Sequence, residues 1–259
     1  MGDQIAVFCL GGTSETFEGD ERTVPAFMLS NAARLLDSTR FRGEWVPYPA
    51  VYGTSMPYNE SVRRGLNALL ERIRLLDGAP FVMWGYSQGC DVVRAAAMYL
   101  RLESINPNCR GVGMLADPGR DPNQFEGMAV KPEGYGIRGG WRVDDTHFPV
   151  WSLSAQGDPI SSLPGGNPLR SIADLTATMG VSTQSQRLEW FGDVVEKITA
   201  GQMQPWWSLE RWRDWAGALA FARGYAIDGR HTCYATERVP GRDVTYTQRL
   251  AQLTNALPL

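Results

Sequence analysis

Apolar positions along the chain follow two rhythms. Gln4–Leu10 is a short apolar run that stops at Gly11-Gly12, and Pro80–Trp84, Gly111–Ala116 and Pro149–Ala155 are three more. Runs of this length without polar alternation predict strands buried on both faces. Between them, apolar residues recur at three and four. Val24–Leu36, with Pro25 in its first turn, predicts one helix. A second is expected to be capped by Asn59, to carry Val62, Leu66, Leu69, Leu70, Ile73 and Leu76 on one face, and to end at Gly78. Gln88–Glu103 predicts a third. Asp243–Leu257, with Leu250, Leu253 and Leu257 on one side, predicts the last. Trp45–Pro49 is extended and limited by its prolines. Helices alternating with all-apolar strands point to an α/β three-layer sandwich around a mostly parallel sheet.

The rhythm breaks twice. Residues 119–148 are rich in Gly, Pro and Asp and predict long loops. After Pro164-Gly165-Gly166, three helical stretches (Ile172–Met179, Gln186–Ile198 and Leu209–Tyr225) follow with no strand between them. The expectation is one sheet domain spanning residues 1–259, with a helical insertion at 163–229 acting as linker or lid. Trp206, Trp207, Trp212 and Trp215 crowd into that insertion, with Phe221 close behind. Aromatic residues on an amphipathic helix pack against the body they cover or line an apolar groove. Trp206, Trp207 and Trp212 are therefore candidates for substrate contact.

Composition narrows the function classes. A chain of 259 residues with 43% apolar and 20% charged residues is long enough for a substantial core. Its net charge of -3 leaves no basic footprint for nucleic acid. No apolar run approaches the roughly 20 residues of a membrane-spanning helix, and a monomer is expected. Met1-Gly2-Asp3-Gln4 does not open a signal peptide, so synthesis in the cytoplasm without a leader is expected. The four cysteines, Cys9, Cys90, Cys109 and Cys233, form no paired motif. They read as reduced thiols, with a Cys90–Cys109 bridge as the alternative. No metal site and no cofactor is expected.

The chemistry-bearing segment is Gly85-Tyr86-Ser87-Gln88-Gly89, set between a predicted strand and a predicted helix. A serine on such a sharp turn is lifted above the sheet at a helix N-terminus, where backbone N–H groups can hold an oxyanion. Ser87 is the candidate nucleophile. It needs a base, and the chain has only two histidines. His231 lies late in the chain, in the order serine, acid, histidine; His147 is the alternative. Asp158, on the Gln156-Gly157-Asp158-Pro159 turn after a strand, is the candidate acid. Asp117, after the preceding strand, is the runner-up, and Asp228 reads as a turn residue. The N–H of Gln88 and that of Thr13, in Gly11-Gly12-Thr13-Ser14, are the candidate oxyanion donors.

Gly-Tyr-Ser-Gln-Gly, the Gly-Asp turn after a strand and a late histidine before a C-terminal helix resemble the cutinase-like serine esterases of the α/β-hydrolase fold. The long stretch between Asp158 and His231, the early Gly-Gly-Thr turn, Asp117-Pro118 and Tyr234-x5-Pro240-Gly241 are more specifically similar to the lysin B family of mycobacteriophages. That resemblance implies an esterase made in the host cytoplasm. Its partner would be a lipid ester of the mycobacterial cell envelope, the bond joining mycolic acids to arabinogalactan, cut at lysis. A general cutinase-like esterase or lipase acting on shorter lipid esters is the alternative. An acyltransferase and a non-catalytic binding module are the other readings.

Overall fold

A computed structural model describes residues 4–52, 56–102, 108–144, 146–167, 169 and 229–258. The core is a five-stranded sheet in the order β2-β1-β3-β4-β5, built from Ile5–Leu10 (β1), Phe41–Trp45 (β2), Phe81–Tyr86 (β3), Cys109–Leu115 (β4) and Val150–Leu153 (β5). Every neighbouring pair is parallel. Parallel strands need crossovers, and the described ones are helices Phe27–Ala33 (α1), Tyr58–Leu75 (α2) and Gln88–Leu102 (α3). Tyr246–Asn255 (α4) closes the described chain.

The period of two in the strands sorts side chains between two apolar layers. Ala6, Phe8 and Leu10 of β1, with Phe81 and Met83 of β3, meet Leu69 and Ile73 of α2 and Val92, Val93 and Ala96 of α3. Ile5, Val7 and Cys9, with Val82, Trp84 and Tyr86, face the other way, against Leu29 and Ala32 of α1 and Tyr246 and Leu250 of α4. Both faces are covered, which is why the strands read as unbroken apolar runs.

Two sequence expectations shift. Strand β2 lies at Phe41–Trp45, just before the extended stretch expected at 45–49. Its Arg-Gly-Glu centre is exposed or half-buried, so this edge strand carries no unbroken apolar run. Helix α2 starts at Tyr58 after Pro57, with no side-chain cap. Asn59 lies inside the first turn, and its Oδ1 accepts from Arg138 Nη2 at 2.9 Å. The four cysteines are all free, so the Cys90–Cys109 bridge does not form. Of the insertion expected at 163–229, only its two ends are described. Trp206, Trp207, Trp212, Trp215, Phe221 and Asp228 lie outside the described residues.

The stretch after β4, predicted as long loops, is fastened from inside. Buried Arg120 donates from Nε to the Ser161 carbonyl at 2.6 Å and from Nη2 to the Gly134 carbonyl at 2.7 Å. Helix α4 seats against β4 at Gly113, where a Cβ would stand 2.3 Å from Leu250 Cδ1 and 3.0 Å from Trp84 Cδ1. Trp84 in turn donates from Nε1 to Thr254 Oγ1 at 3.1 Å. Gly113→Val should therefore overfill this contact and lower stability by about 1–3 kcal/mol in urea unfolding. Leu250→Ala in the same chain should recover part of that loss.

Candidate active site

The strand order reverses direction at β1, since β2 lies on one side of it and β3 on the other. In open parallel sheets this places a crevice beyond the carboxyl ends of the two diverging strands. The turns leaving those ends are Gly11-Gly12-Thr13 after β1 and Tyr86-Ser87-Gln88 after β3.

Ser87 has φ 52°, in the left-handed region that a non-glycine residue seldom adopts. Its neighbours explain how the turn closes. A Cβ at Gly85 would meet Cys90 N and Gly89 O at 2.6 Å, and one at Gly89 would lie 2.0 Å from Leu10 O. Only glycine fits at both positions, because backbone meets backbone there. The Cys90 N–H donates to the Ser87 carbonyl at 2.9 Å, and the Ser87 N–H to the Leu115 carbonyl at 3.0 Å. The hydroxyl is thereby held at the head of α3.

Ser87 Oγ lies 2.8 Å from His231 Nε2. His231 Nδ1 lies 3.1 and 3.2 Å from Asp158 Oδ1 and Oδ2. A proton on Nδ1 leaves Nε2 free to accept from serine, which suits the imidazole for taking the hydroxyl proton. Asp117, the runner-up acid, is committed elsewhere: it pairs with buried Arg94 and accepts the Gly119 N–H at 2.9 Å. His147 is exposed.

Asp158 is fully buried on the turn that follows β5, and Gly157 with φ 75° shapes that turn. Its carboxylate is crowded with donors. Oδ1 accepts the Ile160 N–H at 2.9 Å; Oδ2 accepts from Ser161 Oγ at 2.9 Å and Tyr234 OH at 2.5 Å. Burial pushes this carboxyl up. The imidazole, the tyrosine hydroxyl and the backbone N–H together outweigh burial and hold it below the ordinary carboxylate range.

The two candidate oxyanion donors lie on closely packed turns. The backbone N–H groups of Thr13 and Gln88 engage no acceptor among the described residues. Gly12 packs so closely that a Cβ there would lie 3.1 Å from Ser87 Cβ. Side chains then fasten the two donors to each other. Thr13 Oγ1 donates to Gln88 Oε1 at 3.0 Å, and Gln88 Nε2 donates to the Val51 carbonyl at 3.0 Å and to Ser61 Oγ at 3.1 Å. Glu15 accepts the Gly12 N–H at 2.8 Å and the Met28 N–H at 3.3 Å. Burial raises its carboxyl, partly offset by those N–H groups and by nearby His231.

Three contributors escaped the sequence reading: Tyr86, Glu15 and Tyr234. Tyr86 OH donates to the His231 carbonyl at 2.7 Å, and its ring stacks on the imidazole at 5.5 Å and 21°. Its place beside Ser87 in the pentapeptide was the available signal. Among the described residues no group of three or more His, Cys, Asp or Glu could hold a metal ion, and no helix is long and apolar enough to cross a membrane.

Two predictions follow from this geometry. If φ 52° strains the turn, Ser87→Gly should be at least about 1 kcal/mol more stable than Ser87→Ala in urea unfolding, both being inactive. Equal stability of the two would mean that no strain is stored. Asp158 is held below its unfolded value near 3.9. Its contribution to stability is therefore full above about pH 4 and lost as the pH falls further. Asp158→Asn should flatten that part of the stability profile in urea titrations from pH 6 to 2.5.

No protein-family model matches the sequence, and comparison with curated proteins likewise gives no match. Solved structures do match. The crystal structure of lysin B from mycobacteriophage D29 is similar over 97% of this chain and 99% of its own, with TM-score 0.58 and 20% identity. A cutinase-like protein from Cryptococcus sp. matches over 70% of this chain and 97% of its own, with TM-score 0.42 and 15% identity. Trichoderma reesei cutinase matches over 67% and 73%, with TM-score 0.40 and 20% identity. The chain thus has the α/β-hydrolase fold, similar to that of lysin B from mycobacteriophage D29.

Proposed function

We propose that the chain is a serine carboxylic-ester hydrolase. The observation that carries this reading is the continuous link from Ser87 Oγ through His231 to Asp158, with distances of 2.8 and 3.1 Å, beside two turns whose Thr13 and Gln88 N–H groups engage no acceptor among the described residues. In the proposed reaction, His231 takes the Ser87 proton as Oγ attacks the ester carbonyl. The N–H groups of Gln88 and Thr13 hold the oxyanion, and the departing alcohol receives the proton from His231. Water, activated by the same imidazole, then cleaves the acyl-enzyme and regenerates the serine. Asp158 keeps the imidazole oriented and offsets its positive charge without taking the proton.

For the substrate, we propose the ester between mycolic acids and arabinogalactan. Two things support it: the resemblance of the motifs and their spacing to the lysin B family, and the likeness of fold to a mycobacteriophage lysin B over 97% of this chain. On this reading the segment 163–229, for which the sequence predicts a helical insertion, would supply Trp206, Trp207 and Trp212 to shelter the acyl branches. The protein acts on the cell envelope as a monomer.

Purified protein should release free mycolic acids from mycobacterial cell-wall complex, and Ser87→Ala should lower that release by at least about a thousandfold. Phenylmethylsulfonyl fluoride should add its sulfonyl group to Ser87, as read by peptide mass. Hydrolysis of nitrophenyl butyrate without release of mycolate would keep the esterase and discard this substrate in favour of shorter lipid esters. Unchanged hydrolysis by Ser87→Ala would discard the mechanism.

A further inference from the structure

Beneath the triad lies a buried set of hydroxyl groups that the proposed mechanism does not use. Tyr234 is fully buried three residues after His231, on a short 3-10 turn at Cys233–Ala235. Its OH accepts the Ala155 N–H at 3.1 Å and donates to Asp158 Oδ2 at 2.5 Å. Ser161 Oγ donates to the same oxygen at 2.9 Å and lies 2.6 Å from Ser154 Oγ, which is 2.7 Å from Ser162 Oγ. A carboxylate has about four acceptor sites. Those of Asp158 are taken by Ile160 N–H, Ser161, Tyr234 and the imidazole, so hydroxyl and amide dipoles converge on the acid from every side but that of His231.

We propose that Tyr234 is a positioning residue for the triad, acting through Asp158. Its hydroxyl holds the carboxylate in the orientation that presents both oxygens to the imidazole, at 3.1 and 3.2 Å. By drawing charge onto Oδ2, it also keeps Asp158 a weak proton acceptor, so that the Nδ1 proton stays on the ring. Tyr86 completes the frame. It donates to the His231 carbonyl and lies edge-on to Tyr234, with ring centroids 6.2 Å apart. Base and acid, which are 73 residues apart in sequence, are thus referred to one aromatic wedge. Tyr246 closes that wedge, 5.1 Å from Tyr234. The inference rests on the serine-esterase reading. The charged or titratable groups facing Asp158 are His231, Tyr234, Arg120 and Cys233, and Glu15 faces His231.

Tyr234→Phe keeps the ring and removes the donor. It should lower kcat about tenfold with KM within about twofold. With one donor gone, charge concentrates on the carboxylate and the imidazolium is better stabilised. The acid limb of the kcat/KM profile therefore moves to higher pH. The variant also strands the Ala155 N–H, and its Tm falls. Should it fail to fold, 3-fluorotyrosine at 234, a stronger donor of nearly the same size, should move the acid limb to lower pH. The ring-proton titration of His231, one of two histidines, is followed by NMR in each protein and should shift in the same direction as the acid limb. A fallen Tm with unmoved limb and unmoved titration overturns the inference, leaving Tyr234 a packing residue. A shifted titration in a protein that hydrolyses no ester upholds the coupling of Tyr234 to the triad and overturns the esterase reading.

Discussion

The structure turns on one contact between two pieces of backbone. Gly89, at the head of α3, lies so near the Leu10 carbonyl at the end of β1 that a methyl group would stand 2.0 Å from it. This contact brings the carboxyl ends of β1 and β3 together at the reversal of the sheet. It bends the chain through Ser87 at φ 52° and sets the Gly12 backbone against the serine. Any side chain at position 89 would push the helix off the sheet. Ser87, the proposed oxyanion donors Gln88 and Thr13, and the packing of α3 on β1 and β3 would be disturbed together.

Burying a carboxylate is unfavourable unless donors replace the water it loses. At Asp158 they do so to excess, which is why the acid is held low despite having no exposed surface. Glu15 shows the opposite balance. It has two backbone donors and no directly hydrogen-bonded cationic side chain, and burial prevails. Two carboxyl groups around one imidazole are thus driven apart by their surroundings. The well-solvated-by-protein one is the one that touches the ring, and the reluctant one holds the oxyanion turn. Separation of this kind is what allows neighbouring acids to take different roles.

Much of this was legible in the sequence. The apolar runs at 4–10, 80–84, 111–116 and 149–155 located four of the five strands because strands buried on both faces carry an unbroken signal. Strand β2 carries no such signal, since an edge strand with Arg-Gly-Glu at its centre resembles a loop. Ser87, Asp158 and His231 were reachable because a pentapeptide, a turn after a strand and a shortage of histidines constrain chain order. Tyr234 and Glu15 were not. Tyr234 stood in the motif after the histidine, but neither it nor the glutamate after the glycine turn showed a role in sequence, and only the closed fold reveals the hydrogen bonds that each makes. The glycine at 113 was similarly silent, its meaning lying in Leu250 more than a hundred residues away.

The support around Ser87 falls into two separate networks. On one side, Gln88 joins Thr13 to Val51 and Ser61, while Glu15 ties Gly12 to Met28, so the donors are in place before any negative charge develops. On the other, Tyr86 and Tyr234 fix base and acid where positive charge develops. Preorganised dipoles act most strongly when they need no rearrangement during the reaction. The two networks meet at the turn of Ser87, and Glu15 of the first also acts electrostatically on His231 of the second. In the proposed reaction the turn mounts Ser87 between the donors that meet negative charge and the aromatic frame that holds the group taking up positive charge.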